Sequence, residues 1–405
     1  MPRIAVGIDV AKGKSEVAVA DQSLEILLMP YQVKHTVLEL NALADTLRRL
    51  GGELRIIMEA TGHYSEPVAR NLYAAGFFVS VVNPYLVKDF GNNTLRQVKT
   101  DKADAVRIAR YGIHYWRELR RYTPADDVRA RLKELNRQFL FYTDRKIAQQ
   151  GHLVCLLDRA FPAAHKLFTN RPKADGRLKW VDFVKEFWHC DIINQMSEDE
   201  FAEAYRVWCR ENNYEFKPRK AFDIYVKSFG LIPTLPKDEH TKSLIAIAAN
   251  QMTAISQDVE RLRGELCDLA QRLPEYPVVT GLFGTGKSIA AQLMAEIGDM
   301  RNYKRIKSLP AFAGVDPGQK QSGVYSVRSV VITKNGSCHL RRTLSFAMDV
   351  YVLEKPAGDP VYEFYKKKRA EGKHYFVCKV AAANKFLRIY YARVKEYLDG
   401  IEDEK

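Results

Sequence analysis

The chain has 405 residues, enough for two or three domains, each with its own core. Its 63 lysines and arginines against 49 acidic residues leave a net charge of +14, which predicts a polyanionic partner, nucleic acid before an anionic membrane. No apolar run approaches the roughly 20 residues of a bilayer span, and Met1-Pro2-Arg3 leads into a strand rather than a signal peptide. The six cysteines contain no Cys-x-x-Cys pair, so we expect a soluble, intracellular protein with reduced structural thiols rather than disulfides or zinc.

The N-terminal region predicts a mixed sheet. Apolar and small residues alternate from position 3 to 9, which indicates a strand that carries Asp9 on its smaller-residue face. After it, the pattern predicts strands over 15–20 and 25–29, a helix over 35–50, a strand ending at Glu59, a helix over 65–75, a strand over 77–82 and a helix opened by Thr100. Three strands followed by alternating helices and strands is the element order of the ribonuclease H-like fold. In that fold the first and fourth strands are neighbours.

Four acidic residues are positioned to meet at this sheet. Asp9 and Glu59 end the two neighbouring strands, while Asp101 and Asp104 lie three positions apart on one face of the next helix. Converging carboxylates repel one another unless cations lie between them, and Mg²⁺ binds through carboxylates and substrate phosphates. The set predicts a metal-dependent phosphoryl-transfer site. Each acid alone has a plainer structural explanation, as a helix-dipole or surface residue.

Two long helices are predicted beyond residue 122, the first starting at Pro124 within 123–160 and the second within 241–274. In each, apolar residues recur every four and three positions, as in a coiled-coil seam. The seam residues are Val128, Leu132, Leu135, Phe139 and Tyr142 in the first helix and Ile255, Val259, Leu262, Leu266, Leu269 and Leu273 in the second. They predict an antiparallel pair, with a plain helical bundle as the alternative. The segment between them, 161–240, is either an inserted lobe that contacts nucleic acid or a spacer.

Residues Gly281 to Ser288 match the phosphate-binding pattern G-x-x-x-x-G-K-[ST]. A nucleotide-binding loop of that type follows a buried strand in an α/β sheet, whereas Leu273 to Pro277 precede it here and the surroundings predict helices. We therefore expect no ATP. A glycine-rich turn between helices explains the same residues, with its backbone N–H groups and Lys287 contacting a DNA phosphate.

A loop rich in glycine and proline runs from Leu309 to Gly323 and leads into a strand-like stretch over 325–332. Ser322 precedes Gly323, where the backbone brings a hydroxyl close to a substrate, although turn chemistry alone also places serine there. Basic residues nearby either hold phosphates or form an ordinary solvated face. With three basic residues from upstream, the predicted nucleic-acid-binding set is Arg107, Arg110, Lys287, Lys320, Arg328, Lys334, Arg341 and Arg342.

Several of these motifs resemble a family of insertion-sequence transposases in which a RuvC-like, Holliday-junction-resolvase-like DEDD domain precedes a C-terminal transposase domain with a serine nucleophile. The N-terminal motifs are GIDVAK at 7–12, MEATGHY at 58–64, NP at 83–84 and KTDKADA at 99–105. The C-terminal motifs are AEIGD at 295–299 after the glycine turn, FAGVDP at 312–317, QSG at 321–323, and NG at 335–336 followed by Leu340-Arg341. The similarity covers the chain except the segment 161–240.

The resemblance implies a DNA recombinase guided by a structured bridge RNA that pairs with donor and target DNA. It implies dimers that pair into a tetramer, located in the prokaryotic cytoplasm with the nucleoid. The cofactor implied is Mg²⁺, with Mn²⁺ as a possible substitute, and Ser322 would attack the DNA phosphate to give a covalent phosphoserine. The implied metal ligands are Asp9, Glu59, Asp101 and Asp104. Val324 departs from the glycine that many members have after Gly323, so Ser326 and Ser329 are fallback nucleophiles.

The expected fold class is α/β plus α. It comprises a ribonuclease H-like (RuvC-like) catalytic domain over 1–122, long antiparallel coiled-coil helices over 123–160 and 241–274, an inserted segment over 161–240, and a mainly helical transposase domain over 275–405. Two other functions stay open. A hydrolytic nuclease or Holliday-junction resolvase would use only the four carboxylates, with Ser322 structural. A non-catalytic RNA-binding scaffold would need only the positive charge.

Overall fold

The computed structural model describes residues 1–91, 100–316, 321–322, 325–326, 332 and 334–403. The chain divides into two compact units, Met1–Ala125 and Asp126–Lys405. None of the helices in these described ranges is long and apolar enough to cross a membrane.

The first unit is a sheet with helices on both faces. Its strands are β1 (Arg3–Ala11), β2 (Lys14–Asp21), β3 (Ile26–Lys34), β4 (Glu53–Glu59) and β5 (Phe78–Val82). Its helices are α1 (Val37–Arg49), α2 (Ser65–Ala74), α3 (Pro84–Gly91) and α4 (Asp101–His114). These bounds agree with the predicted elements to within a few residues, with two exceptions: β3 continues to Lys34, and the short helix α3 was not predicted.

The strand order in the sheet is β3-β2-β1-β4-β5. β1, β2 and β3 pair antiparallel, whereas β1 with β4 and β4 with β5 pair parallel. This is the predicted ribonuclease H-like arrangement, and it confirms that the first and fourth strands are neighbours. Their register pairs Ile8 with Met58, so the next residues, Asp9 and Glu59, lie side by side at the carboxyl ends of the two strands.

The alternation along β1 gives the sheet two different faces. Ile4, Val6 and Ile8 point to one side and join a core with leucines of α1 and α2. Ala5 points to the other side and joins a smaller core that includes Ile108 of α4. The face with small residues is therefore the one that receives α4, as the position of Asp9 on that face predicts.

The second unit is mainly helical. Its helices are α5 (Asp127–Ala160), α6 (Lys179–Glu186), α7 (Cys190–Asn194), α8 (Glu198–Glu211), α9 (Pro218–Ser228), α10 (Glu239–Ala270), α11 (Tyr276–Thr280), α12 (Lys287–Ile297), α13 (Ser308–Ala313), α14 (Cys338–Glu354), α15 (Pro360–Ala370) and α16 (Tyr375–Asp403). Two short strands, β6 (Gln321–Ser322) and β7 (Tyr325–Ser326), pair antiparallel. The helical C-terminal region was predicted correctly.

Helices α5 and α10 form the predicted antiparallel pair. Lys146 Nζ lies 3.8 Å from Glu260 Oε1, and Gln149 donates to the carbonyl oxygen of Ala248 at 2.9 Å. The later residue of α5 thus contacts the earlier residue of α10, so the two helices run in opposite directions. The predicted start at Pro124 is wrong by three residues. Helix α5 begins at Asp127 because the side chain of Asp126 accepts the backbone N–H of Arg129 at 2.8 Å and caps the helix.

Each end of this pair belongs to a different core, so the pair is built into two helical bundles. One end, with Leu132 and Leu266, packs with α12, α14 and α16. The other end, with Leu157 and Ala248, packs with helices α6 to α9 around Trp180. The segment 161–240 is therefore a folded lobe with its own aromatic core.

Candidate active site

The strand ends of β1 and β4 place two of the predicted acids together. Asp9 and Glu59 are each half-buried at the same edge of the sheet. Both lie on the face that α4 covers, because Glu59 is two residues from Ile57 and successive strand residues alternate between faces. Parallel pairing of β1 with β4 is what brings acids 50 positions apart in the sequence to adjacent strand ends.

Helix α4 lies unusually close to β1. A methyl group on Gly7 would overlap the backbone of Ala105 and Ala109, and one on Gly112 would overlap the side chain of Ile57. Glycine and alanine at these positions therefore let the helix backbone rest directly on the strand. This contact brings the first turn of α4 to the acid-bearing edge of the sheet.

The first turn of α4 carries the other two acids. Thr100 caps the helix by accepting the backbone N–H of Ala103 at 3.2 Å, which fixes where the helix begins. Asp101 is exposed and Asp104 is half-buried. Asp104 Oδ1 lies 2.7 Å from Arg107 Nη1 in an ion pair.

The four predicted acids form one electrostatically coupled group. Burial raises the pKa of Asp9 to about 6, and the negative charges of Asp104, Asp101 and Glu16 add to the increase. Burial also raises the pKa of Glu59 to about 6, with further increases from Asp9 and Asp104, while Arg107 opposes them. Because the charges of Asp101 and Asp104 act on Asp9, and those of Asp9 and Asp104 act on Glu59, the carboxylates lie close enough to one another for their charges to interact.

Glu16 is a fifth acid that the sequence analysis missed. It lies directly opposite Asp9 in the antiparallel pairing of β1 with β2, on the same face of the sheet. The only signal in the sequence was an acidic residue directly before the apolar run Val17 to Ala20. Only the register of the hairpin shows that Glu16 lies opposite Asp9.

The donor set fits a divalent cation that prefers oxygen. Glu16 Oε2 is buried and has no hydrogen-bond partner, and an unpaired buried oxygen of this kind is satisfied by a cation. Asp104 Oδ1 is also buried and has the Arg107 guanidinium as its ion-pair partner. No three of these acids bring their oxygens within 4.8 Å of one another among the described residues. The group is therefore an open, coupled arrangement of carboxylates rather than a closed coordination shell.

A second cluster satisfies the distance criterion for a metal site but not the chemistry. The ligand atoms of His189, Cys190 and Asp191 all lie within 4.8 Å of one another. His189 Nδ1, however, accepts the backbone N–H of Asp191 at 3.1 Å and caps α7, while its Nε2 contacts the carbonyl oxygen of Leu235 at 3.1 Å. Burial raises the pKa of the Cys190 thiol. With both ring nitrogens engaged and the thiol protonated, this cluster caps a helix.

Ser322 belongs to the second unit. It ends β6 and pairs with Tyr325 of β7. The side chains of Ser322 and Ser326 lie outside the described part of the structure, as do Ser329, Gly323 and Val324 in full. The assignment of a nucleophile to Ser322 stays a prediction.

The predicted nucleic-acid-binding residues fall into three groups. Arg110, Lys287 and Lys334 are exposed. Lys320 and Arg328 lie outside the described residues. The remaining three residues form ion pairs or hydrogen bonds with groups of their own units; they are Arg107, Arg341 and Arg342.

Two of these engaged arginines fix helix α14 and the loop before it. Arg341 donates to the carbonyl oxygens of Ala313 and Gly336 at 3.0 and 2.9 Å, and Arg342 donates to both carboxylate oxygens of Asp144 at 2.8 and 2.6 Å. Such contacts hold Arg341 in a loop-positioning role, and an arginine that already binds a carboxylate bidentately is less available for a phosphate.

The glycine-rich stretch over 281–288 joins α11 to α12, as predicted. Gly284 and Gly286 have positive φ angles of 75° and 27°, and the Thr285 hydroxyl donates to the carbonyl oxygen of Val279 at 2.7 Å, which closes the turn. The element before the turn is helix α11, so the strand that a nucleotide-binding loop needs does not precede it. Lys287 is the first residue of α12 and is exposed.

Two family profiles match the chain. A profile of IS110 DEDD transposases, described as "Transposase", matches residues 6–162. A second profile, described as "Transposase IS116/IS110/IS902 family", matches residues 277–363. Together they cover more than half of the chain.

Individual proteins are similar at low identity. The pilin gene-inverting protein of Moraxella bovis is 22% identical over 85% of this chain and 80% of its own length. An uncharacterized 44.8 kDa protein of insertion element IS116 from Streptomyces clavuligerus is 23% identical over 97% of this chain and 95% of its own length. Among solved structures, Thermus thermophilus RuvC is 17% identical, covers 28% of this chain and 96% of its own, and has a TM-score of 0.23.

Proposed function

Because this chain belongs to the IS116/IS110/IS902 family of transposases, we propose that it cleaves and rejoins DNA strands with divalent-cation chemistry at the acids of the first unit. The observation that carries the proposal is the coupled group of carboxylates at the ends of β1 and β4 and the start of α4, with a buried, unpartnered carboxylate oxygen on Glu16 of the neighbouring strand. The Moraxella bovis relative is named for inverting a gene, which is a DNA rearrangement and supports DNA as the substrate.

The residues proposed to hold the cation are Asp9, Glu59, Asp101 and Asp104. Glu16 supports the group from the neighbouring strand by adding negative charge beside Asp9. Mg²⁺ is the ion we favour, with Mn²⁺ as a substitute, and when bound it supplies positive charge to a phosphate oxygen and promotes deprotonation of a nucleophile. Arg107 holds Asp104 by an ion pair, and the Thr100 cap fixes the start of the helix that presents it.

For the nucleophile we propose Ser322. A serine hydroxyl is weakly nucleophilic at neutral pH and needs activation. Its oxygen would form a bond to the DNA phosphorus as the bond from phosphorus to a sugar oxygen breaks; the serine proton leaves, and the departing sugar oxygen takes up a proton. A sugar hydroxyl of the recipient strand then displaces the serine by the reverse of this step. The phosphoester is conserved throughout, so strand exchange requires no ATP.

We also propose a structured guide RNA, donor and target DNA as partners, and a dimer that pairs into a tetramer. The support is the net charge of +14 and the family membership. Charge provides affinity but no sequence choice, so guidance by base pairing would supply specificity. Purification of the protein from cells carrying its element, followed by sequencing of the bound RNA, tests this: one discrete species is expected, and random cellular RNA would contradict guidance.

A covalent adduct separates the serine mechanism from hydrolysis by the carboxylates alone. Protein is incubated with labelled element-end DNA and Mg²⁺, then denatured and resolved by gel electrophoresis. We expect a labelled protein band with the natural chain and with Ser326→Ala, and none with Ser322→Ala or Asp9→Asn. Cleaved DNA without an adduct in any variant would favour a hydrolytic nuclease or junction resolvase with Ser322 structural. Unchanged activity in Asp101→Asn would favour the non-catalytic RNA-binding scaffold.

A further inference from the structure

The folded lobe within 161–240 contains an open cavity of about 490 Å³. Four of the eight residues that line it are lysines and only one is acidic, so its wall is positively charged. The lining residues are Lys166, Leu167, Phe168, Thr169, Lys179, Glu215, Lys217 and Lys220. None of them belongs to the acid group or to the predicted nucleic-acid-binding set.

Two helices begin at the wall of this cavity. Lys179 is the first residue of α6, and Lys217 immediately precedes the first residue of α9. Neither helix has a side chain that caps its N-terminal N–H groups. The N-terminal end of a helix carries a partial positive charge, so both helices add to the positive potential that the lysines create. Pro218 at the first position of α9 has no N–H, so the contribution of that helix is electrostatic.

The ammonium group of Lys179 is held among aromatic rings. Its Nζ lies 5.3 Å from the ring centre of Phe168 and 4.9 Å from that of Tyr214, and it donates one hydrogen bond at 3.4 Å, to the carbonyl oxygen of Glu215. Burial lowers the pKa of Lys179, and the nearby charges of Lys220 and Lys173 lower it further. A bound anion would relieve both effects.

The positive charges of the other cavity lysines are only partly balanced by neighbouring groups. Lys220 lies 5.1 Å from the ring centre of Phe168. Lys217 pairs with Glu215 at 3.1 Å, and both side chains are well exposed; such a pair contributes little and exchanges easily. Within the described residues no carboxylate lies within 4.0 Å of the ammonium groups of Lys166, Lys179 or Lys220. Lys166 is exposed, whereas Lys179 and Lys220 are half-buried and have no carboxylate within this distance.

We infer that this cavity binds the phosphate groups of a nucleic-acid strand. Lysine ammonium groups and helix N-termini are the donors that bind phosphate, and the ring of Phe168 offers an apolar wall for a sugar or base beside it. The volume accommodates a nucleotide-sized part of a strand. The inference rests on the proposed function only in taking nucleic acid as the anion, and it involves no strand cleavage.

The test measures binding of the full chain to fluorescent 20-nucleotide single-stranded RNA, single-stranded DNA and duplex DNA of one sequence, in EDTA and over a range of salt concentrations. The cavity variant is Lys179→Gln with Lys220→Gln. The control variant is Lys227→Gln with Lys242→Gln, which removes the same charge from exposed lysines outside the cavity. Because EDTA prevents cleavage, failure of this test leaves the cleavage and adduct experiments untouched.

We expect the cavity variant to bind about tenfold more weakly and to reduce the salt slope by about 1.4 to 1.8, as loss of two phosphate contacts predicts. The control is expected to change the affinity about twofold or less. Loss on RNA alone, on DNA alone or on both supports the inference and identifies which strand the cavity holds. Equal affinity of the cavity and control variants on all three probes would overturn it.

Lys179 contacts the aromatic core of the lobe, so its replacement could weaken folding rather than binding. Two further variants resolve this. Lys179→Arg keeps the charge and is expected to restore binding to within about threefold of the natural chain. Lys166→Gln with Lys217→Gln changes only exposed side chains and is expected to weaken binding without lowering the melting temperature; normal binding by this folded variant would contradict the inference.

Discussion

The two clusters of potential metal ligands differ in how their polar atoms are satisfied. His189, Cys190 and Asp191 come close enough together to surround an ion, yet both nitrogens of His189 already have backbone partners. The acids around Asp9 stand further apart, yet Glu16 has a buried oxygen without a partner, and the pKa values of Asp9 and Glu59 are raised first by burial and then by the charges of neighbouring acids.

This difference shows that closeness alone does not identify a cation site. A compact trio with filled hydrogen bonds gains little from an ion, because the ion would have to displace those bonds. A looser group of like charges gains the removal of its repulsion when a cation enters. Substitutions in the two clusters should therefore differ in their effects on cleavage and on metal binding. Asp9→Asn and Asp191→Asn make the same chemical change, so the second is the control for the first.

The largest expected effect is on strand cleavage. Asp9→Asn should reduce the cleavage rate by at least about 10³-fold, because it removes a proposed cation ligand and several kcal/mol of transition-state stabilisation. Asp191→Asn should leave the rate within about twofold. The measurement is cleavage of labelled element-end DNA in Mg²⁺, and equal rates for the two variants would break the distinction between the clusters.

The second effect is stabilisation by metal. At a free Mg²⁺ concentration one hundred times its dissociation constant, the natural chain should gain about 2.7 kcal/mol of stability, seen as a rise in melting temperature over an EDTA control. Asp9→Asn should lose this rise and Asp191→Asn should keep it. After dialysis against zinc, metal analysis should find no equivalent of zinc retained through the His189 cluster.

The third effect tests the contact that brings α4 to the acids. Gly7→Ala should destabilise the first unit by about 1–3 kcal/mol, because the added methyl overlaps the backbone of Ala105 and Ala109, which cannot rotate away. Cleavage should fall as α4 is displaced. Gly151→Ala, on an open face of α5, is the control and should be neutral or slightly stabilising. Equal melting temperatures for the two variants would contradict the close packing.

The smallest expected effect is on stability without metal. In EDTA at pH 7.5, Asp9→Asn should raise the stability of the first unit by about 1 kcal/mol, a two-unit pKa increase discounted for partial exposure. The folded pKa of Asp9 exceeds its unfolded value, so the natural chain gains stability as the pH falls from about 6 to about 4. The advantage of the variant should therefore disappear near pH 4.5, and Asp191→Asn should show no such gain.

Much of the first unit could be predicted because its signals are local. Alternation along β1 placed Asp9 on the small-residue face, and the order of strands made Glu59 its neighbour. Thr100 was identified correctly as the start of α4. Glu16 was not found, because its position opposite Asp9 depends on the register of a hairpin and not on any spacing within one element.

Fewer features of the second unit could be predicted from the sequence. The long antiparallel helices were predicted from their apolar periodicity, and the glycine turn from its helical surroundings. Sequence patterns did not show that Arg341 would bind loop carbonyls, nor that Lys179 and Lys220, 41 positions apart, would share a cavity. Both depend on how separate helices pack, which no single periodicity encodes.

The direct seating of α4 on β1 also limits how the acid site can open. A screw motion of the helix by one residue, about 1.5 Å along its axis with a rotation of about 100°, would put the larger residue Asp104 or Val106 where Ala105 now faces Gly7, although even a methyl group on Gly7 overlaps the helix backbone. Axial travel of this helix is therefore blocked in both directions. The acids that α4 carries are therefore held at a fixed height against the ends of β1 and β4.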